Sequence, residues 1–122
     1  MTQKEMFNAI PMIQKLVGTR LPIKSSYAIF KLAKEIDSQK EFIIGEEKKL
    51  IEKYNGNIDE QGKITFEDPS AYENFSKEYA DLNDLEVELT TTLPIKIDLD
   101  AVSGVNFAPA DFLTLEGIID FE

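Results

Sequence analysis

The sequence predicts an α+β fold in which a long central amphipathic helix packs with two or three further helices and a small antiparallel sheet. Residues 23–54 contain no proline, and apolar residues recur there at helical spacing. Residues 86–107 instead alternate apolar and polar side chains, which is typical of strands. With 122 residues, 43% of them hydrophobic, the chain is expected to form a single domain, 1–122, with its own core.

The helical segment, 3–54, contains two predicted helices. The first follows a Thr-Gln-Lys-Glu capping box, and Gly18 is expected to end it in a left-handed cap. Pro11 predicts a kink or an early break in this helix. In the second helix, an apolar residue at every seventh position forms a stripe that must meet another helix of this chain or of a partner chain. This possible oligomerisation stripe consists of Ile29, Ile36, Ile43 and Leu50.

The rest of the chain is predicted to form short elements separated by turns. Residues 57–66 are expected to form a β-hairpin, because apolar residues flank a Gln-Gly turn. An Asp-Pro pair then signals a helix over 69–83. Strands are predicted within 86–107, and an Ala-Pro pair opens a C-terminal helix over 109–120.

The loop between the second and third predicted helices has nearly the spacing of a helix–loop–helix calcium site. Such a loop takes oxygen ligands at alternate positions, needs glycine at the sixth, and closes with a bidentate glutamate. Here the first position holds asparagine and the last holds aspartate, so the ligand set is short of charge. A hairpin turn at Gly62 is therefore favoured over an ion site. The side chains that would ligate a cation are Asn57, Asp59, Gln61 and Asp68.

The residue types that are missing limit the possible functions. The chain has no histidine and no cysteine, which removes the commonest general base, thiol chemistry and almost every zinc site. Carboxylate pairs such as Glu86 and Glu88 lack a third ligand in pattern, so we expect no enzyme and no cofactor. No apolar run approaches the length of a membrane span, and no signal peptide is recognisable. A cytoplasmic protein that does not enter the membrane is expected.

The net charge of −10 is concentrated in the second half of the chain. Residues 1–66 carry 11 basic and 9 acidic side chains, whereas residues 67–122 carry 2 basic and 14 acidic ones. A nucleic-acid-binding protein would instead cluster basic residues, so no direct nucleic-acid binding is expected. The acidic half attracts cationic protein surfaces, and it also favours solubility. The residues predicted to contact a partner are Glu86, Glu88, Asp98, Asp100, Asp111, Glu116, Asp120, Tyr72 and Tyr79.

Most of the chain, read in order, resembles a known family. The stretches NAIPMIQKLVGTRLPIKSSYAIFKLAKEI and EEKKLIEKY are followed by a glycine-containing insert, a Phe-Ser-Lys-Glu helix, LEVEL and FAPADFLTLEG. They are similar to a family of small uncharacterised proteins encoded by tailed phages and prophages of Gram-positive bacteria. The resemblance implies a phage origin, expression in the bacterial cytoplasm and a helix-rich α+β shape. It brings no established activity and no catalytic residues.

These observations lead to the hypothesis of a non-enzymatic protein that works through protein contacts. In a phage setting, such a protein would act on a host or defence factor through its acidic half. A second hypothesis is an oligomeric component or chaperone of virion assembly, which self-associates through the long helix. A third is a carboxylate-based metal-binding protein. In the first two cases the partner is a protein, of host or phage origin.

Overall fold

A computed structural model describes all residues, 1–122, and its mixed helical and strand content confirms the α+β fold class. The long helix α2 packs against α1, α3 and strand β3. The elements in chain order are α1 (Gln3–Val17), α2 (Ile23–Lys53), β1 (Asn57–Ile58), β2 (Ile64–Thr65), α3 (Pro69–Asn83), β3 (Ile95–Ile97), a 3₁₀ helix (Leu99–Val102), α4 (Pro109–Thr114) and β4 (Ile119–Phe121).

The first helix begins as predicted but ends differently. The Thr2 hydroxyl accepts a hydrogen bond from the Glu5 amide at 3.2 Å, and the Glu5 carboxylate accepts one from the Thr2 amide at 3.4 Å. This capping box satisfies amides that would otherwise be unpaired at the helix start. The helix continues past Pro11 without a break. The predicted left-handed cap at Gly18 is wrong, because this residue stays right-handed (φ −84°) and still donates to the carbonyl of Gln14.

The main core lies between α1, the middle of α2 and the C-terminal strands. Ile29, Ile36 and Ile43 of the predicted stripe are buried within the chain, and Leu50 is half-buried. The stripe is therefore used for intramolecular packing, so these buried side chains are not available as an oligomer surface. The buried core residues are Met6, Ala9, Ile13, Leu16, Ile29, Leu32, Ile36, Ile95, Ile97, Val102, Leu115, Ile118 and Ile119.

The predicted hairpin after α2 is confirmed. Strands β1 and β2 pair antiparallel, with Ile58 opposite Ile64. Gly62 has a φ of +82°, a conformation that glycine adopts without a steric penalty. The predicted third helix follows, and the Asp68 carboxylate caps it by accepting from the amide of Ser70 at 2.9 Å.

The region predicted as strands, 86–107, is mostly irregular. Only β3 is a strand there, and Glu86 makes an isolated bridge with Thr2. β3 pairs in parallel with β4, so the predicted antiparallel sheet in this region is wrong. Apolar and polar residues alternate at 87–91 because this segment contacts the core and α2, and not because it pairs with another strand. Val87 and Leu89 are partly buried and pack against the core.

The predicted C-terminal helix, 109–120, is also wrong beyond its first turns. Helix α4 ends at Thr114, and Gly117 then takes a φ of +81°. A left-handed residue cannot continue a right-handed helix, and glycine adopts this conformation readily. The chain therefore reverses, and Ile118 and Ile119 both enter the core as β4 begins.

Candidate binding surfaces

The nine residues predicted to contact a partner do not form one patch. Glu86 and Glu88 line a groove against α2, whereas Glu116 lines a different cleft near the N-terminus. Asp120 lies on β4, opposite Lys96. The two tyrosines belong to a separate aromatic cluster on α3, where Tyr72 packs against Phe66 and Tyr79 stacks on Phe75.

Three of the predicted acids have local structural partners. Glu86 accepts from the N-terminal ammonium at 3.1 Å. Asp98 caps the 3₁₀ helix by accepting from the Asp100 amide at 2.9 Å, and Asp111 caps α4 by accepting from the Ala108 amide at 2.8 Å. The other acidic side chains of the set are exposed and have no ion-pair or hydrogen-bond partner; they are Glu88, Asp100, Glu116 and Asp120.

The groove against α2 combines apolar and acidic side chains. We call it the acidic groove, of about 400 Å³, lined by Gln3, Gln39, Phe42, Leu85, Glu86 and Glu88. Phe42 is 53% exposed and Leu85 is 47% exposed, although both are large apolar side chains. Two exposed apolar walls beside carboxylates are typical of a protein-binding surface, which combines an apolar centre with a polar rim.

Gln3 adds an unmatched hydrogen-bond acceptor to the acidic groove. Its side-chain nitrogen donates to the Gln39 amide oxygen at 3.1 Å, while its own Oε1 has no partner. The residue is only 2% exposed. A buried acceptor without a donor is unfavourable by about 1–3 kcal/mol, so this side chain lowers the stability of the free chain.

Glu35 fixes the wall of the groove that carries Glu86 and Glu88. Its carboxylate accepts hydrogen bonds from the amides and hydroxyls of both Thr90 and Thr91, including 2.9 Å from the Thr90 amide. The Thr90 hydroxyl contributes most to holding the pKa of Glu35 below its usual value, although desolvation acts in the opposite direction. Glu35 therefore ties the irregular segment after α3 to the middle of α2.

A second surface lies at the turn between α1 and α2. Ile23 is 83% exposed, and Val17, Tyr27 and Phe30 are 56–62% exposed. Residues 23, 27 and 30 are one helical turn apart, so they share one side of α2. The Tyr27 and Phe30 rings stack with centroids 6.3 Å apart, and Val17 and Phe30 line the same shallow groove.

The chain segment that carries this surface has basic but no acidic side chains. Between residues 6 and 34 the chain has five basic side chains and no acidic one. At 3.6 residues per turn, Lys34 aligns with the apolar side chains of α2, and Lys24 and Lys31 follow one edge. The Lys31 ammonium lies 6.0 Å from the centre of the Tyr27 ring. We call this surface the basic apolar face, formed by Val17, Ile23, Tyr27, Phe30, Arg20, Lys24, Lys31 and Lys34.

Sequence reasoning missed the basic apolar face although its signal was present. The spacing of Ile23, Tyr27 and Phe30 is as helical as that of the buried stripe. Periodicity identifies apolar faces on a helix but does not reveal which of them the rest of the chain covers. The absence of acidic residues from 6 to 34 was the additional sequence signal that distinguishes this face.

One further charged cluster joins the end of α2 to α3. The Tyr54 hydroxyl donates to Glu78 at 2.6 Å, and the Lys53 ammonium donates to the same carboxylate at 3.0 Å. The bond from Tyr54 is the largest cause that lowers the pKa of Glu78, and the same bond raises the pKa of Tyr54. The three groups satisfy one another, so the cluster acts as a link between two helices.

The carboxylates of the predicted calcium loop are also engaged locally. Asp59 accepts from the amides of Gln61 and Lys63 within the hairpin, and Asp68 caps α3. No group of three or more carboxylates in the chain is placed to hold a metal ion. Residues 57–68 form a hairpin turn followed by a helix cap, which agrees with the predicted hairpin.

Comparisons with known proteins returned no relatives. No protein-family model, curated protein or solved structure matches this chain. None of its helices combines the length and the apolar character that crossing a membrane requires. The function is therefore inferred from the acidic groove and the basic apolar face.

Proposed function

We propose that this chain is a non-enzymatic accessory protein that acts by binding another protein in its acidic groove. The observation that carries the proposal is the meeting of apolar walls and an unpaired carboxylate in one place. Phe42 and Leu85 supply the walls and Glu88 the carboxylate. A partner of matching chemistry presents an apolar side chain flanked by Lys or Arg.

The two kinds of side chain would contribute differently to such a complex. Burial of Phe42 and Leu85 against an apolar partner residue would supply most of the affinity, because large desolvated side chains dominate interface energetics. The carboxylates would select a cationic partner and speed the encounter. The net charge of −12 over residues 67–122 supports this, since it attracts a basic surface before contact.

The proposed setting is that of a tailed phage or prophage of a Gram-positive bacterium, with the protein acting in the host cytoplasm. In this setting, the partner is a host or defence protein, and covering its basic surface would inhibit it. The alternative role, an oligomeric component or chaperone of virion assembly, is supported by the exposed basic apolar face, which leaves a second apolar surface available to a protein.

Affinity capture from bacterial lysate followed by titration of the purified partner tests the proposal. We expect Phe42→Ala and Glu88→Lys each to weaken binding at least about tenfold, a change of roughly 1.4 kcal/mol. Ile58→Ala and Glu60→Lys are matched controls, because both residues are exposed and lie outside the groove. A captured protein whose affinity is unchanged by both groove substitutions would refute the site, and recovery of phage structural proteins alone would favour virion assembly.

A further inference from the structure

The basic apolar face is an unpartnered apolar surface on a helix whose core side is already covered. Leu32 and Ile36 point from α2 into the core, whereas Ile23, Tyr27 and Phe30 lie roughly opposite them at 3.6 residues per turn. Single exposed apolar side chains are common on proteins, but clustered ones mark contact sites. Here they adjoin one another through a stacked pair of rings and a shared groove.

The border of this face favours an anionic occupant. Four basic side chains belong to it, and the segment 6–34 that carries them has no acidic residue. None of Arg20, Lys24, Lys31 and Lys34 forms a salt bridge within the chain. If the faces of two copies met symmetrically, these charges would be brought together, and like charges across an interface are unfavourable.

The acidic groove has the complementary chemistry, and every copy of the chain carries it. Its apolar walls, Phe42 and Leu85, match the exposed apolar side chains of the face. Its Glu88 carboxylate, which has no partner in the chain, and that of Glu86, which accepts only from the N-terminal ammonium, match the lysines. We infer that the basic apolar face of one copy docks into the acidic groove of a second copy.

The two surfaces cannot meet within one molecule. Tyr27 and Phe42 are separated by about 22 Å along the axis of the same helix, since each residue adds about 1.5 Å. The contact therefore joins two copies: made twice about a two-fold axis it closes a dimer, and made once per pair it builds rings or open filaments. This contact uses the groove that is proposed to bind a partner, so self-association and partner binding compete. The self-contact itself does not depend on the identity of that partner.

Sedimentation and light scattering over concentration and salt test the inference. We expect the weight-average mass to rise at least about twofold between roughly 10 µM and 1 mM chain at low salt. The mass at a fixed concentration is expected to fall as NaCl increases, because salt screens the opposite charges. A symmetric apolar contact between two basic faces would strengthen with salt instead, and that result would overturn the inference.

Charge reversal gives a sharper test with two variants. Lys24→Glu, Lys31→Glu and Lys34→Glu together change the charge of the face from +4 to −2, and Glu86→Lys with Glu88→Lys makes the groove basic. Each of these variants alone is expected to remain monomeric, because its own face and groove now carry the same sign. An equimolar mixture of the two is expected to associate again, since each face then finds a groove of opposite charge. A mixture that stays monomeric would contradict the contact.

Folding and partner binding are measured on the same variants. Circular dichroism establishes that each variant is folded; if the groove variant is not, Glu88→Lys alone replaces it, because the Glu88 side chain has no partner in the structure. The face variant keeps the groove and is expected to bind the partner normally. A wild-type chain that self-associates as expected but binds no partner in its groove would refute only the proposed function. A chain that stays monomeric but binds anionic lipid vesicles through Lys24 and Lys31 would overturn the inference.

Discussion

Helix α2 has two apolar sides that the fold treats in opposite ways. On one side, Ile29, Leu32 and Ile36 are almost completely buried against α1 and the C-terminal strands. On the other, Ile23 and Tyr27 are mostly exposed. The residue types are similar, so hydrophobicity alone does not distinguish a core side from a docking side. The difference is whether the chain supplies another element to cover it.

The largest expected effect separates these two sides by their contribution to stability. Leu32→Ala removes a fully buried side chain and leaves a cavity, so we expect a loss of about 2–5 kcal/mol in the free energy of unfolding. Tyr27→Ala on the exposed side is expected to change it by no more than about 0.5 kcal/mol. Urea denaturation measures both values. Equal losses would mean that the exposed side also packs within the monomer.

The next effect concerns Glu35, which ties the groove wall to α2. Glu35→Gln keeps the size of the side chain but removes its charge and one acceptor oxygen, so it cannot accept all the bonds from Thr90 and Thr91. Hydrogen bonds to charged groups are worth about 1.5–3 kcal/mol, and the exposed part of this site is screened by water. We expect a loss of about 1–2 kcal/mol at neutral pH, measured by urea denaturation.

The pH dependence of this loss identifies the carboxylate as its cause. The pKa of Glu35 is lowered in the folded chain, chiefly by the Thr90 hydroxyl. Its stabilising contribution is therefore complete above the unfolded pKa and is lost as pH falls through the folded pKa. The stability gap between the wild type and Glu35→Gln should close in acid. Glu41→Gln, an exposed α2 residue, is the control and should show no comparable gap at any pH.

A smaller effect concerns the helix that covers the buried side of α2. Thr2→Ala removes the hydroxyl that caps α1 and is expected to destabilise the fold by about 1 kcal/mol. Thr2→Ser keeps the hydroxyl and should restore the stability. Thermal unfolding of the three proteins measures the difference. If Thr2→Ser is as unstable as Thr2→Ala, the loss comes from the methyl group and not from the cap.

The sequence was sufficient for elements whose determinants are local. The bounds of α1, α2 and α3 and the hairpin at Gly62 follow from apolar spacing and from capping or turn residues only a few positions away. The same locality explains why the hairpin could be preferred over a calcium site. Two short-range features, the asparagine at the first ligand position and the aspartate at the last, decided between them.

Prediction failed where a segment depends on distant parts of the chain. The alternation near Thr90 looks like a strand, but its hydrogen-bond partner is Glu35, 55 residues earlier. Strand β3 pairs with β4 at the C-terminus, where Gly117 ends the helical pattern. The prediction of a single partner-binding patch failed for the same reason. The acids of the C-terminal half are close in sequence, but the fold distributes them over separate sites.

The substitution with the smallest expected effect on stability tests most directly whether the exposed side of α2 is a docking surface. Ile23 is the most exposed of the large hydrophobic residues, so Ile23→Ser should change the free energy of unfolding by no more than about 0.5 kcal/mol. The same substitution should weaken self-association, because it removes one of the apolar contacts of the face. Ile58→Ser is the matched control: Ile58 is also exposed but lies on the hairpin, outside both surfaces. If the two serine variants associate equally well, exposure at Ile23 has no role in docking.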